Sequence, residues 1–298
     1  MYINNTFYQP VILFRVDKDS EEEYNIAKKY FPIYKLRSEI CEDRSLLDTI
    51  VIGRYSVLPY YNELEADLYL RNSICDIKLI NSYKEHCWIA DVYSWYDLLQ
   101  EHTPKTWKAE EILNINIEGP FVVKGQTNSR KSQWKTHMFA SKENLGQVIA
   151  NLMEDSLIGQ QQIYIREYIP LVTFMYGIND LPITEEYRIF MYGTNVLSSG
   201  YYWASYVEDL PIPIRFHGLY SDITDNKDAY KLINNVAVKI KDYWQKDLFF
   251  VMDIARTKDG KWILIELNDG QMSGLSCCSP EELYSNMRNF IKVFPHEK

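Results

Sequence analysis

Three oxygen-bearing side chains, Asp253, Glu266 and Asn268, sit in two apolar runs, "FFVMDIAR" and "WILIELND", separated by "TKDGK". The Asp259-Gly260 pair is a strong signal for a tight hairpin turn. A two-residue turn there sets Lys258 opposite Lys261 and Asp253 directly across from Glu266, whereas a four-residue loop over Thr257 to Gly260 leaves the two acids diagonal. With either turn, the period-two alternation of strands puts Asp253, Glu266 and Asn268 on one face. Phe250, Met252, Ile254, Ile263, Ile265 and Leu267 then make the opposite, apolar face. Two carboxylates opposed across a strand pair repel each other, so they call for a proton, a basic side chain or a cation. Two carboxylates with an amide oxygen suit a hard divalent ion such as magnesium, which is commonly bound alongside substrate phosphates. The same spacing also describes a solvated sheet face with unrelated polar residues, and a loop accompanied by a bulge breaks the parity.

Lys124 closes the run "FVVK" and is followed by Gly125 and then "QTNSRK", which offers hydroxyls, amides and Arg130. A lysine leaving a strand beside a glycine can meet a phosphate while the loop adds backbone donors, although an isolated lysine at a strand end more commonly faces solvent. Neither a G-x-x-x-x-G-K-[ST] phosphate loop nor a G-x-G-x-x-G dinucleotide fingerprint occurs. In "EEYRIF", Glu186 and Arg188 share a strand face and read as readily as a surface ion pair as they do a site. Arg54, beside Tyr55 and Tyr60, either faces a cleft or packs at a core edge.

The elements that must position these residues fall into two regions. Up to about residue 104, strand-like runs ("VILFRV", "DTIVIGRYSV", "CDIKLI") alternate with helical ones ("SEEEYNIAKKYF", "NELEADLYLRN", "NSYKEHCWIADVYSWYDLLQEH"), as in a parallel α/β lobe. "HTPKTW" (102–107) is the natural break. Beyond it, strands at "GPFVVKG", "THMFA" and "QQIYIREYIP" surround a helix at "SKENLGQVIANLMED". A hairpin at "EEYRIFMYGTNVLSSGYYW", a helix over about 227–246, the acidic hairpin and a Ser-capped final helix at "SPEELYSNMRNFIKVF" complete an α+β region. The expected division is 1–104 and 105–298, the latter in subdomains of about 105–166 and 170–298.

Composition narrows the classes. The chain has 298 residues, 46% of them hydrophobic, with 32 basic against 41 acidic side chains and a net charge of -9. This leaves no globally basic footprint for nucleic acid. No run approaches the roughly 18 apolar residues of a membrane helix, and "MYINNTFYQP" lacks a signal-peptide layout, so a cytoplasmic protein without a membrane partner is expected. Cys41, Cys75, Cys87, Cys277 and Cys278 contain no C-x-x-C pair and suit reduced thiols.

The ordered series "FVVKG", "YIREYIP", "EYRIF", "FFVMDIA" and "WILIELNDGQMSGL" resembles the ATP-grasp superfamily from about Lys105 onward. The preceding region, with "VIGRYSVLPYY" and "LINSYKEHCWIADVYSWYDLL", is similar to the pre-ATP-grasp lobe. More narrowly, the chain resembles an uncharacterised, often phage-associated branch distinguished by two arginines and a lysine. The resemblance implies a nucleotide clasped between two α+β subdomains, with ATP and Mg2+ as cofactors. It further implies Lys124 and Arg130 on phosphate, the backbone of Arg166, Glu167, Tyr168 and Ile169 at the adenine, and Arg188 at the terminal phosphate or the acyl phosphate made from it. Asp253, Glu266 and Asn268 match its magnesium ligands. The loop after Lys124 departs from the family in not being glycine-rich.

The function so implied is an ATP- and magnesium-dependent ligase that activates a carboxylate as an acyl phosphate for an amine or other nucleophile. Two alternatives stand beside it. One is a nucleic-acid (RNA end) ligase or modifier, for which the basic "SRKSQWK" segment with Trp134 would supply pairing and stacking. The other is a nucleotide-binding module without turnover. "DGQMSGL" reads either as a wall of the acceptor pocket or as a plain loop into the last helix.

Overall fold

A computed structural model describes residues 9–292 apart from 16–19, 47–48, 55–59, 73–76, 113–116, 210, 212–213 and 215–221. Tyr55, Pro59 and Cys75 lie outside the described residues, as does the Tyr60 side chain.

The first sheet is built from β1 (Val11–Phe14), β2 (Ile33–Tyr34), β3 (Ile50–Arg54) and β4 (Lys78–Leu79) in the order β2-β1-β3-β4. All of its pairings are parallel. Such a sheet is buried on both faces, which is why β1 is apolar throughout. Val11, Leu13, Val51 and Leu79 face one core with Ile40 and Leu70, while Ile12, Phe14 and Ile52 face another. Its helices are α1 (Glu21–Tyr30), α2 (Arg37–Glu42), α3 (Tyr60–Arg71), α4 (Tyr83–Ala90) and α5 (Val92–Leu99). The long helix expected after β4 is thus two, because the Asp91 carboxylate accepts from the Tyr93 backbone N–H and caps a new helix where the first ends. The "HTPKTW" break is a buried strap rather than a free linker and runs into β5 (Thr106–Lys108), which the sequence pattern did not suggest.

β5, β6 (Phe121–Gly125), β7 (Phe139–Ala140) and β8 (Ile163–Glu167) form an antiparallel second sheet in the order β5-β8-β6-β7. The short α6 (Ala109–Ile112) and α7 (Leu145–Glu154) lie against it, with Phe121, Val123, Val148 and Leu152 in a common core. Alternation therefore turns Val122 and Lys124 the other way. A small ribbon of β9 (Thr173–Tyr176) and β10 (Pro182–Thr184) follows.

The third sheet, β12-β11-β13-β14, is antiparallel and consists of β11 (Glu186–Tyr192), β12 (Asn195–Tyr201), β13 (Phe249–Arg256) and β14 (Trp262–Asp269). Helix α8 (Lys227–Trp244) covers one face through Leu232, Ile233, Val236 and Ile240. On the other face, Phe190, Leu197, Phe249 and Val251 share a core with β1, β3 and helix α9 (Pro280–Phe290). Arg54 belongs to this junction and not to a cleft. It is buried, its Nε and Nη2 donate to Glu23 at 2.9 and 2.7 Å, and its guanidinium lies 5.4 Å from the Phe190 ring centre. "DGQMSGL" is fastened into the same junction, since Gly53 donates its N–H to the fully buried Gln271 side chain at 3.1 Å.

The acidic hairpin differs from both simple turns. Arg256 pairs with Trp262 and Ile254 with Leu264, and then a bulge at Ile265 shifts the register so that Asp253 pairs with Glu266. The direct opposition anticipated from a two-residue turn is thus reached through a longer loop and a bulge. The cost falls on the apolar face: Trp262 and Leu264, not Ile263 and Ile265, join Phe250, Met252, Ile254 and Leu267 in the core.

Among the described residues no helix is long and apolar enough to cross a membrane, and Cys41, Cys87, Cys277 and Cys278 are in no disulfide. Gly200 pairs with Arg188, and a Cβ at Gly200 would collide with the Cys277 carbonyl group and the Cys278 backbone nitrogen. Gly200→Ala is expected to destabilise the fold by about 1–3 kcal/mol, as overpacking against backbone does, read as a lower urea midpoint with an unchanged slope.

Candidate active site

A cleft enclosing about 880 Å³, counting its open mouth, lies between the second and third sheets. Its size is that of a small-molecule pocket. Val122, Met138, Tyr168, Ile169, Leu171, Ile263 and Ile265 make an apolar wall, and Lys124, Lys131, Glu186 and Glu266 add charge. The bulge explains why two isoleucines and a carboxylate of one strand face the same space. Its freed backbone is satisfied by neighbours: Arg166 donates to the Ile265 carbonyl at 2.6 Å and the Thr103 hydroxyl to the Leu264 carbonyl at 2.9 Å. Arg166 also donates to the Thr103 and Thr106 hydroxyls at 2.6 and 3.2 Å.

Asp253, Glu266 and Asn268 converge. The Asn268 amide nitrogen lies 3.4 Å from both Asp253 Oδ2 and Glu266 Oε1. The repulsion between the acids is relieved by basic side chains. Arg188, across the β11–β13 ladder, holds the fully buried Asp253 in a two-pronged ion pair at 2.9 and 2.8 Å. Lys124 reaches across the cleft to Glu266 at 2.7 Å. Burial pushes the Asp253 carboxyl up against the pull of Arg188. Burial works the same way on Glu266, but Lys124 and Lys131 prevail and hold it well below the usual carboxylate range. Among the described residues no three His, Cys, Asp or Glu side chains gather for a metal; here the third donor is an amide. Two carboxylates and an amide oxygen around one point fit a magnesium ion.

Of the other expected residues, Glu167, Tyr168 and Ile169 line the cleft with Arg166. The Arg166 guanidinium, lowered to about 10 by burial, is engaged by the bulge and the strap rather than left free. Arg130 stands apart. It forms a two-pronged pair with Asp155 at 2.6 and 2.7 Å, because Asp155 also caps the Leu157 and Ile158 N–H groups and is fixed beside it. The neighbouring Lys131 turns inward instead, with its ammonium 4.3 Å from the Tyr202 ring centre. The remaining members of the basic segment are engaged within the chain: Lys135 pairs with Asp180, and Trp134 stacks on Phe139 at 5.9 Å. This removes the feature that favoured a nucleic-acid end.

The chain matches the model of an ATP-grasp domain family, the third of its clade, over residues 113–287, more than half of its 298 residues. It belongs to the ATP-grasp family. Among curated proteins none matches it in sequence. Solved structures with a similar fold include D-cycloserine synthetase DcsG, at 11% identity and a TM-score of 0.58 over 94% of this chain and 98% of that one. N5-carboxyaminoimidazole synthetase from Staphylococcus aureus, complexed with ADP, has 11% identity and a TM-score of 0.55 over 89% and 72% of the two chains. The ATP-grasp ligase PsnB, complexed with a phosphomimetic variant of its minimal precursor, Mg and ADP, has 9% identity and a TM-score of 0.52 over 96% and 98%. At these identities the likeness establishes the ATP-grasp fold.

Sequence reasoning passed over two side chains of this ATP-grasp cleft. One is Lys131. The other is Glu186, which lines the cleft and is buried, with the Thr184 hydroxyl donating to it at 3.2 Å. Burial pushes its carboxyl up to about 8; Lys131 opposes the rise, and Asp253 and Glu266 add to it. The i, i+2 placement of Glu186 and Arg188 on one strand face was the available signal. Glu186 thus holds its proton in the folded chain up to about pH 8 and loses it near 4.5 when unfolded. Stability from this group is full below the lower value and declines as pH rises through the upper one. Between about pH 5 and about pH 8, the thermal midpoint of the native protein should fall more steeply than that of Glu186→Gln, as scanning calorimetry can test.

Proposed function

We propose that this protein is an ATP- and magnesium-dependent ligase that activates a carboxylate as an acyl phosphate and passes the acyl group to an amine or other nucleophile. The observation that carries this reading is the meeting of Asp253, Glu266 and Asn268 with Lys124 and Arg188 at one cleft between two sheets. The fold shared with ligases such as PsnB, whose structure holds Mg and ADP, supports it.

In this reading the apolar wall takes the nucleotide base, with the backbone of Glu167, Tyr168 and Ile169 at its edge. The triphosphate runs toward Lys124, Lys131 and Arg188. Lys131 thereby takes the part expected of Arg130. Asp253, Glu266 and Asn268 hold magnesium, which supplies charge stabilisation for the phosphoryl group when bound. Lys124 exchanges its bond to Glu266 for one to a phosphate oxygen. Arg188, fixed by Asp253, donates toward the terminal phosphate and then toward the acyl phosphate. Burial of the cleft strengthens these contacts by excluding water. No protein nucleophile is needed, since phosphoryl transfer depends chiefly on positioning and charge. We further take residues 1–104 as a pre-ATP-grasp lobe, residues 105–298 as the ATP-grasp domain, and the enzyme as cytoplasmic.

Incubation with labelled ATP should release ADP and phosphate; AMP with pyrophosphate would point to nucleotidyl transfer and overturn the acyl-phosphate route. In calorimetric titrations, Glu266→Gln should lose at least about tenfold in the magnesium-dependent part of ADP affinity while binding without magnesium stays the same. Equal magnesium dependence in the two proteins would remove Glu266 from the metal site.

A further inference from the structure

We propose that Tyr202, Trp203 and Tyr206 form a cage for the primary ammonium group of the acceptor substrate, and that Lys131 fills it as an internal stand-in until phosphate draws the lysine away. This inference rests on the ligase reading above and names the class of nucleophile it uses.

The Lys131 ammonium lies 4.3, 5.5 and 5.9 Å from the ring centres of Tyr202, Trp203 and Tyr206, and it donates a hydrogen bond to the Tyr202 hydroxyl. Three aromatic faces around one ammonium are the arrangement by which proteins recognise amine cations. The rings do not owe their positions to the lysine. Tyr202 and Trp203 are only 6% and 5% exposed, and the Trp203 indole N–H donates to the Thr184 hydroxyl at 3.0 Å. The far side of Tyr202 is occupied, since the Arg188 guanidinium lies 4.8 Å from its ring centre. Tyr206, at 40% exposure, leaves the cage a way in from solvent.

Resident and cage come from different parts of the chain. Lys131 belongs to the β6–β7 connection, and the cage belongs to the turn that follows β12. The lysine can therefore leave while the rings stay. It also lines the cleft in which Lys124 and Glu266 meet, so a bound polyphosphate competes with the cage for it. A nucleotide that wins this competition vacates an ammonium site beside the phosphates, which orders the binding: nucleotide first, amine second.

The ring faces attract any cation, but the Tyr202 hydroxyl adds an acceptor that only an N–H-bearing cation can use, which favours a primary ammonium over a quaternary one. The ammonium gives one proton to water through the opening beside Tyr206, and the freed lone pair on its nitrogen attacks the acyl carbon. As the C–N bond forms, the C–O bond to phosphate breaks and phosphate departs with that electron pair and the second proton.

The test uses n-butylammonium as the probe, followed by ligand-observed NMR at constant ionic strength and without nucleotide. Lys131→Ala should bind it about tenfold more tightly than the native protein, and more tightly than tetramethylammonium. Adding Tyr202→Leu to Lys131→Ala should abolish the gain. No gain in Lys131→Ala, or a gain that survives loss of the Tyr202 ring, would overturn the proposal. Should Lys131→Ala not fold, the native protein saturated with magnesium tripolyphosphate serves instead, with the same gain expected and its absence equally fatal. Because the Lys131→Ala arm contains no nucleotide, failure to bind ATP would bring down the ligase reading while leaving the cage result to stand or fall alone.

Discussion

The bulge at Ile265 sets the terms for the rest of the site. Without the extra residue, the pairing that runs from Arg256–Trp262 to Ile254–Leu264 would carry on and set Asp253 opposite Ile265. With it, Glu266 and Asn268 meet Asp253 while Ile263 and Ile265 face the cleft. Such a kink leaves backbone carbonyls without ladder partners, and a buried carbonyl must find one. Arg166 and Thr103 supply them from outside the third sheet. The local defect that aims the acids is therefore also a fastening between the two walls of the cleft.

The second constraint is electrostatic. Buried carboxylates this close are tolerable only when paired, and removing one member of a buried pair strands the other. Arg188 and Lys124 meet that need from opposite walls. Arg188 is held within the third sheet and belongs to a fixed arrangement, whereas Lys124 spans the cleft and has a partner it can exchange. Glu186 escapes the problem by keeping its proton, which is what makes it chemically distinct from its two acidic neighbours.

Much of this was legible from residue order alone. The parallel first lobe, both hairpins, the Ser279 cap of the last helix and the pairing of Asp253 with Glu266 follow from alternation, turn chemistry and capping. What was not legible depends on partners remote in sequence. The bulge relies on Arg166 and Thr103, so period-two counting carried past Leu264 put Ile263 and Ile265 on the wrong face. Which of Arg130 and Lys131 turns inward is decided by Asp155, a residue on the far side of α7. Glu186 looked like half of a surface pair because its burial comes from the opposing sheet. Asp91 divides a helix of good amphipathic character by serving three donors at once, among them Gln126 at 2.6 Å and Tyr164 at 2.8 Å.

The shared core beneath Phe190 and Phe249 has a mechanical corollary. Because β1, β3 and α9 pack onto the back of β11 and β13, and Asn81 clips to the Phe249 backbone at 3.0 Å, the first and third sheets make one chassis. The second sheet is the jaw. Tyr168 is still tied to it through the Pro120 carbonyl at 3.1 Å, and Pro170 is already tied to the chassis through the Lys258 N–H at 2.9 Å, so the pivot narrows to Ile169. Arg166, close to that pivot, turns with little travel. The β6–β7 connection sits at the far end of the lever, where Ser132 meets Asn179 at 2.6 Å, and a small rotation at Ile169 becomes its largest excursion.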